Sequence, residues 1–249
     1  MPYVPTGKLT DLPYGHPCET CPVRPITICR GLDAATLAAM RSLGTMQRLQ
    51  PEQSVFHEGD PAKRVFMVTR GALKLYTLLA DGRRQITGFM FPGDFLGVSV
   101  DEEYAFTVEA LKDTELWWFS REAFDRFAGE NPQVERELYR LATHELAEAQ
   151  RQMVLLGRKA AAERLASFFL SLLERTERVS AKRETSFGLP MTRIDIADYL
   201  GLTKETVSRM LAHLRSRGLI RLQSQNCVEV LDREGLRKMA QGETADALS

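Results

Sequence analysis

Three of the four cysteines in this 249-residue chain fall within twelve residues of one another. Cys18, Cys21 and Cys29 stand as C-x2-C-x7-C in a segment rich in Gly and Pro. Thiolates bind soft metals and iron–sulfur clusters. The close pair can bite one face of a cluster while the third reaches back across a short loop. Free thiols in a tail fit the same residues. So does a zinc ion, although structural zinc wants four closed ligands. The fourth cysteine, Cys227, lies far along the chain and reads as a small buried strand residue.

A second set of residues is suited to reading DNA. Residues 192–220, TRIDIADYLGLTKETVSRMLAHLRSRGLI, carry two helix starts and a tight turn. Thr192 and Asp195 form a capping-box-like start, with Asp in place of the usual Glu or Gln. Gly201 supplies the turn, Thr203 caps a second helix running to about Ser216, and Gly218 stands near its end. Ile194, Ala197, Leu200, Leu202, Val207, Leu211 and Leu214 are the expected buried positions. Such a second helix places its first turns in a DNA major groove, which exposes Thr203, Lys204, Glu205, Ser208 and Arg209. Arg pairs bidentately with guanine and Glu accepts from a cytosine amino group. Glu205 and Arg209 are also spaced i,i+4, so an ordinary surface ion pair is the competing reading. Between Thr203 and Arg221 stand five bases (Lys204, Arg209, Arg215, Arg217, Arg221) and one acid, Glu205. That local excess is what phosphate contact requires. Arg215 is the expected phosphate contact, and LIRLQSQNCVEVLD reads as a two-stranded wing turning near Gln225 and Asn226.

The whole chain is neutral, with 33 Lys+Arg against 33 Asp+Glu, so attraction to nucleic acid must be local. No apolar run approaches the roughly 18 residues of a membrane span, and no secretory signal is visible. A cytoplasmic location without a disulfide framework is expected. The four histidines, His16, His57, His144 and His213, lie in no nucleophilic, P-loop or zinc-hydrolase motif, which argues against a metabolic enzyme.

These residues need a frame. Residues 33–49 read as a short helix capped by Asp33, with Leu37, Met40 and Leu43 at three-residue steps. Over residues 50–120, β-type runs alternate with turn signals at Gly59, Gly71, Gly82, Gly93 and Gly97, the rhythm of a sandwich or barrel. Asp81-Gly82 marks a hairpin. A short helix over 121–129 precedes a long one opened by Asn131-Pro132. On the long helix Tyr139, Ala142, Leu146, Ala149, Met153 and Leu156 follow a 3-4-3-4-3 spacing, an a/d seam that would join two copies. A helix lying on its own β domain through Leu138, Leu141, Val154 and Leu155 is the alternative. Another helix follows over about 159–176, then a polar connector, 177–191. The fold class is α+β. Its segments are 1–32 with the cysteines, a sensory β domain over 33–132, a dimerisation helix over 133–157 and a DNA-binding domain over 158–249.

This order of β domain, long helix and C-terminal winged helix-turn-helix resembles the CRP/FNR superfamily of bacterial transcription regulators. FPGDFLG (91–97) is similar to that family's β-roll signature, which implies a cyclic-nucleotide-binding-like β-roll. Glu205, Ser208 and Arg209 match the E-x-x-S-R pattern of the FNR and FixK branch, as does AAAERLASFFLSLLER (160–175). The resemblance implies a homodimer on double-stranded DNA, an inverted repeat like TTGAT-N4-ATCAA, and RNA polymerase as a partner. It also implies an oxygen-labile [4Fe–4S] cluster on Cys18, Cys21 and Cys29. The chain departs from the pattern in two places. Trp117 stands where FNR proteins carry a central cysteine, which leaves His16, Asp113, Glu115 or a small molecule as fourth ligand. VDEEYAFTVEAL lacks the Arg-Ser/Thr pair that holds a cyclic phosphate, which speaks against a cyclic nucleotide. A regulator of the same architecture without a cluster, FixK-like or binding a small effector in the β-roll, is the alternative.

Overall fold

A computed structural model describes residue 21 and residues 23–97, 102–224 and 226–243. The chain divides into two units. One holds the residues through Thr77 together with Thr87–Glu145; the other holds Leu78–Ile86 and everything from Leu146 on.

The first unit opens with a 3-10 turn, Arg24–Ile26, and helix α1, Ala34–Leu43. Asp33 caps α1, its carboxylate accepting from the Thr36 amide at 2.8 Å. The expected helix over 33–49 stops early, because residues 44–49 form strand β1, Gly44–Leu49. Local spacing loses there to pairing with strand β8, Thr114–Ser120, in the register Gly44↔Phe119 to Leu49↔Thr114. Gly44 permits the approach, since a Cβ there would come within 2.7 Å of the Phe119 and Trp117 rings.

The remaining strands are β2 (Ser54–Phe56), β3 (Arg64–Arg70), β4 (Leu73–Leu78), β5 (Arg84–Met90), β6 (Phe95–Leu96) and β7 (Thr107–Ala110). They form two four-stranded sheets, ordered β1-β8-β3-β6 and β2-β7-β4-β5, the β-rich frame that the turn rhythm implied. All five turn glycines take positive φ. At Gly71 the constraint is double: φ is +102° and a Cβ would meet the Thr114 backbone at 2.5 Å.

Two apolar clusters fill this unit. One gathers Phe56, Phe66, Val68, Leu73, Tyr104 and Leu116. The other gathers Ile28, Cys29, Leu37, Met40, Phe119 and Phe124, with Leu138 and Leu141 packed against it. Phe124 lies on α2 (Arg121–Glu130), and Leu138 and Leu141 on α3 (Pro132–Arg158). Each fully buried Phe or Leu stabilises the unit by about 1.5–3 kcal/mol.

The second unit contains α4 (Ala161–Ser180), β9 (Ser186–Gly188), α5 (Arg193–Leu200), α6 (Lys204–Ser216), β10 (Ile220–Ser224), β11 (Cys227–Val230) and α7 (Arg233–Gln241). The expected connector over 177–191 is shorter than its polarity implied. Helix α4 runs on to Ser180, where Glu177 is clamped by Arg233 at 2.7 and 2.9 Å. Strand β9 then pairs with β11, burying Phe187 against the Phe169 ring at 5.3 Å between centroids. Among the described residues no helix is long and apolar enough to cross a membrane.

Candidate nucleic-acid interface

The start of α5 is built by reciprocal hydrogen bonds. The Thr192 hydroxyl accepts from the Asp195 amide at 3.1 Å. The Asp195 carboxylate accepts from the Thr192 amide at 2.9 Å and from its hydroxyl at 2.6 Å. These bonds satisfy amides that a helix start otherwise leaves unpaired. Asp195 is 3% exposed, so its charge needs a counter-ion. Arg84, from the hairpin 78–86, supplies it: one guanidinium nitrogen lies 2.9 Å from Asp195 and 2.8 Å from Asp198. Next along the strand, the Gln85 amide donates to the Asp198 carbonyl at 2.7 Å. The residue type at 84 carries no hint of this role, because its partners lie more than a hundred positions away.

Gly201 closes α5 in the left-handed conformation, φ 62°, and Thr203 caps α6 by accepting from the Thr206 amide at 3.2 Å. Ile196, Ala197, Leu200, Val207, Leu211 and Leu214 are buried, which fixes how α6 is turned. Ile194 departs from expectation: it is 49% exposed, because the buried face of α5 runs through Asp195, Ile196, Ala197 and Leu200.

The turn between the helices is held from behind by Arg164 on α4, a residue that sequence spacing did not reveal. Its guanidinium donates to the carbonyls of Lys159 at 2.8 Å, Leu156 at 2.9 Å and Leu200 at 2.8 Å. Leu156 is in the last turn of α3, Lys159 just follows it and Leu200 ends α5, so the cation also meets the negative ends of both helix dipoles.

On the outer face of α6, Thr203, Lys204, Glu205, Arg209 and Arg215 are exposed and Ser208 is half-buried. Among the described residues no ion pair joins Glu205 to Arg209, so the surface-pair reading has no support in the geometry. Arg193, at the first position of α5, reaches across and donates to the Ser208 hydroxyl at 3.2 Å. Wing strands β10 and β11 pair Ile220 with Val230 and Leu222 with Val228. Gln225, expected near their turn, lies outside the described residues. The face can place donors, one carboxylate and several cations along a polyanionic groove.

Of the six residues expected to form a seam on α3, five are exposed in the single chain. Tyr139 is 73% exposed, Leu146 60% and Met153 65%, with Ala142 and Ala149 also exposed. Leu156 is half-buried, within 3.5 Å of a Cβ placed on Gly201. Of the alternative set, Leu138 and Leu141 pack on the β domain and Leu155 is buried, whereas Val154 is 58% exposed.

The cysteines do not come together as a cage among the described residues. Cys18 and His16 lie outside them. Cys21 is half-buried, and Cys29 is 5% exposed within the apolar cluster of the first unit. The Trp117 ring packs against the same cluster, under the Arg41 guanidinium at 4.3 Å. Glu115 is paired with Arg48 at 3.3 Å. Among the described residues no three of His, Cys, Asp and Glu group so as to hold a metal ion. Cys227 is on β11, its sulfur 3.3 Å from the Gln223 side-chain oxygen.

Residues 163–239 match the family described as Crp-like helix-turn-helix domain, and residues 46–131 match the cyclic nucleotide-binding domain. The nitrogen fixation regulation protein FixK of Bradyrhizobium diazoefficiens is 42% identical over 208 residues, spanning 84% of this chain and 87% of that protein. The transcriptional activator protein FnrL of Cereibacter sphaeroides is 36% identical over 221 residues, spanning 87% and 89%. The solved structure of FixK2 from Bradyrhizobium japonicum matches with a TM-score of 0.73 at 36% identity, covering 79% of this chain and 96% of that one.

Proposed function

The chain belongs to the CRP/FNR family of DNA-binding transcription regulators, in its FixK-like branch, and from that premise we propose that it reads an inverted repeat resembling TTGAT-N4-ATCAA as a homodimer. It is not an enzyme. The carrying observation is the outer face of α6, where Lys204, Glu205, Ser208, Arg209 and Arg215 stand exposed or half-buried on a helix fixed by three buried residues of its opposite face. Glu205, Ser208 and Arg209 read base edges, while Thr203, Lys204 and Arg215 contact the backbone. Two copies joined through the exposed seam of α3 present two such helices, and so read half-sites in inverted order. RNA polymerase is the partner at the promoter. The test is selection from random duplexes with purified protein. A two-fold consensus supports the reading, and sequence-independent binding overturns it.

A cyclic nucleotide is not the effector in this proposal. Glu102 and Glu103 are exposed acids at the loop where a cyclic phosphate would be held, and like charge repels it. DNA affinity that is unchanged by cyclic AMP agrees with this; a rise with saturable binding contradicts it.

The C-x2-C-x7-C spacing keeps an oxygen-responsive [4Fe–4S] cluster as the second reading. The described residues fit such a group poorly, since Cys29 is enclosed by apolar side chains and Trp117 offers no ligand atom. A regulator without a cluster is therefore the preferred form. Anaerobic reconstitution with iron and sulfide decides the matter. About four irons per chain, lost in air and abolished by Cys21→Ser, restores the sensor reading. No iron uptake, with equal DNA binding in both atmospheres, upholds the cluster-free one.

A further inference from the structure

Serines within the helices of this chain usually turn their hydroxyls back on their own backbone. Ser42 donates to the Ala39 carbonyl, Ser171 to Phe168 and Ser216 to His213, all at 2.7–2.9 Å. Such back-bonding is the default for a helical serine, because the carbonyl one turn earlier is within reach. Two serines do otherwise: Ser167 accepts from the Lys159 ammonium at 2.8 Å, inside its own unit, and Ser208 accepts from a cation on the outer face of α6. Its one contact among the described residues is the Arg193 guanidinium, which donates to Oγ at 3.2 Å from the start of the neighbouring helix.

A serine hydroxyl has one donor and two acceptor lone pairs. A charged donor takes one lone pair and draws electron density from the oxygen, so the remaining O–H becomes the stronger half of the group. Ser208 is half-buried on α6, three residues after Glu205 and next to Arg209, both of which are exposed. Resting on the function proposed above, we propose that Arg193 is a specificity-determining residue: it holds Ser208 as a hydrogen-bond donor toward the major groove. The base that Ser208 then prefers offers an acceptor there, such as O4 of thymine, N7 of adenine, or N7 and O6 of guanine; a cytosine amino group, which would have to use the one lone pair left, is disfavoured. Arg193 acts through Ser208 and is a positioning residue in this role.

The test is selection from random duplexes with the full chain and with Arg193→Ala, Ser208→Ala and the double variant. Arg193 is exposed and Ser208 half-buried, with no apolar packing assigned to either, so unchanged thermal unfolding is expected and serves as the folding control. The expected result is that Arg193→Ala relaxes the preference at one base pair per half-site, the same pair that Ser208→Ala relaxes. Discrimination there falls roughly five- to tenfold, on the scale of one base-edge contact. The double variant behaves like Ser208→Ala alone, because the two changes remove one interaction. An unchanged consensus, with all sequences weakened evenly and a salt slope shallower by about one, means that Arg193 only contacts phosphate, and overturns the proposal. Relaxation at a different base pair from that of Ser208→Ala overturns it as well. If the wild-type chain returns no consensus at all, the function proposed above fails first, and that outcome is distinct from both.

Discussion

Replacing Met153 by glutamate tests whether the exposed stripe of α3 is where two copies meet. In the single chain Met153 retains 65% of its surface, with Leu146 at 60% and Tyr139 at 73% on the same stripe. Fully burying such a side chain is worth about 1.5–3 kcal/mol, so two copies recovering about two-thirds of it contribute roughly 2–4 kcal/mol to a dimer. Glutamate forfeits that and adds two carboxylates facing each other, at several kcal/mol each to remove from water. The total exceeds roughly 4 kcal/mol, about a thousandfold in the dimer dissociation constant. Sedimentation equilibrium across a concentration series measures it, with Met153→Leu as the volume-matched control, expected within about 1.5 kcal/mol of wild type. Because the penalty belongs to the ionised form, acidifying toward the ordinary glutamate pKa of about 4.3 should recover part of the association. A Met153→Glu chain whose dimer constant moves less than tenfold would refute the assignment of this stripe to the interface.

Arg209→Ala should lose roughly 1–3 kcal/mol per half-site and broaden base preference, whereas Arg215→Ala should weaken binding evenly across sequences; competition titrations on consensus and scrambled duplexes separate the two. Arg84→Ala strips Asp195 and Asp198 of their shared cation and should lower the stability of the DNA-binding unit by about 1.5–3 kcal/mol, read by denaturant unfolding followed through that unit. An unchanged midpoint would show that water replaces Arg84 without loss. The bidentate Arg233 guanidinium, seconded by the Glu184 amide, holds the Glu177 carboxyl below the usual carboxylate range. Its contribution is therefore full above pH ~4.5 and is lost as pH falls through the lowered folded-state value. Glu177→Gln should be less stable than wild type by roughly 1 kcal/mol at neutral pH, and the gap should close in acid. A gap that is constant from pH 7 to 3 would contradict the assigned cause.

The helix-turn-helix was legible because every feature of it is local. The Thr192–Asp195 capping box, Gly201 and Thr203 act within four residues, and backbone geometry at those positions admits few alternatives. The turn glycines were legible for the same reason. Residues 44–49 read as helix only by continuing the step of Leu37, Met40 and Leu43, and it is pairing with the distant strand 114–120 that makes them a strand. Ile194 was placed in the core on hydrophobicity, although the capping turn rotates it outward. Arg84, Arg164 and Arg193 carry no sequence signal, since an arginine's partners are chosen by the fold. Cys29 shows the reverse limit. Its spacing from Cys21 proposes ligand chemistry, while its burial among Ile28, Leu37 and Phe124 is fixed by packing that spacing does not encode.

Arg164 has a geometric consequence for reading DNA. One planar cation ties the carbonyls at the end of α3 to the turn that sets α6. In a dimer joined along α3, the separation of the two recognition helices is then set like the points of a fixed pair of dividers. Half-site spacing becomes a length inherited from α3 and its clamp. A regulator built this way tolerates base changes within a half-site far better than the insertion of a single base pair between the half-sites.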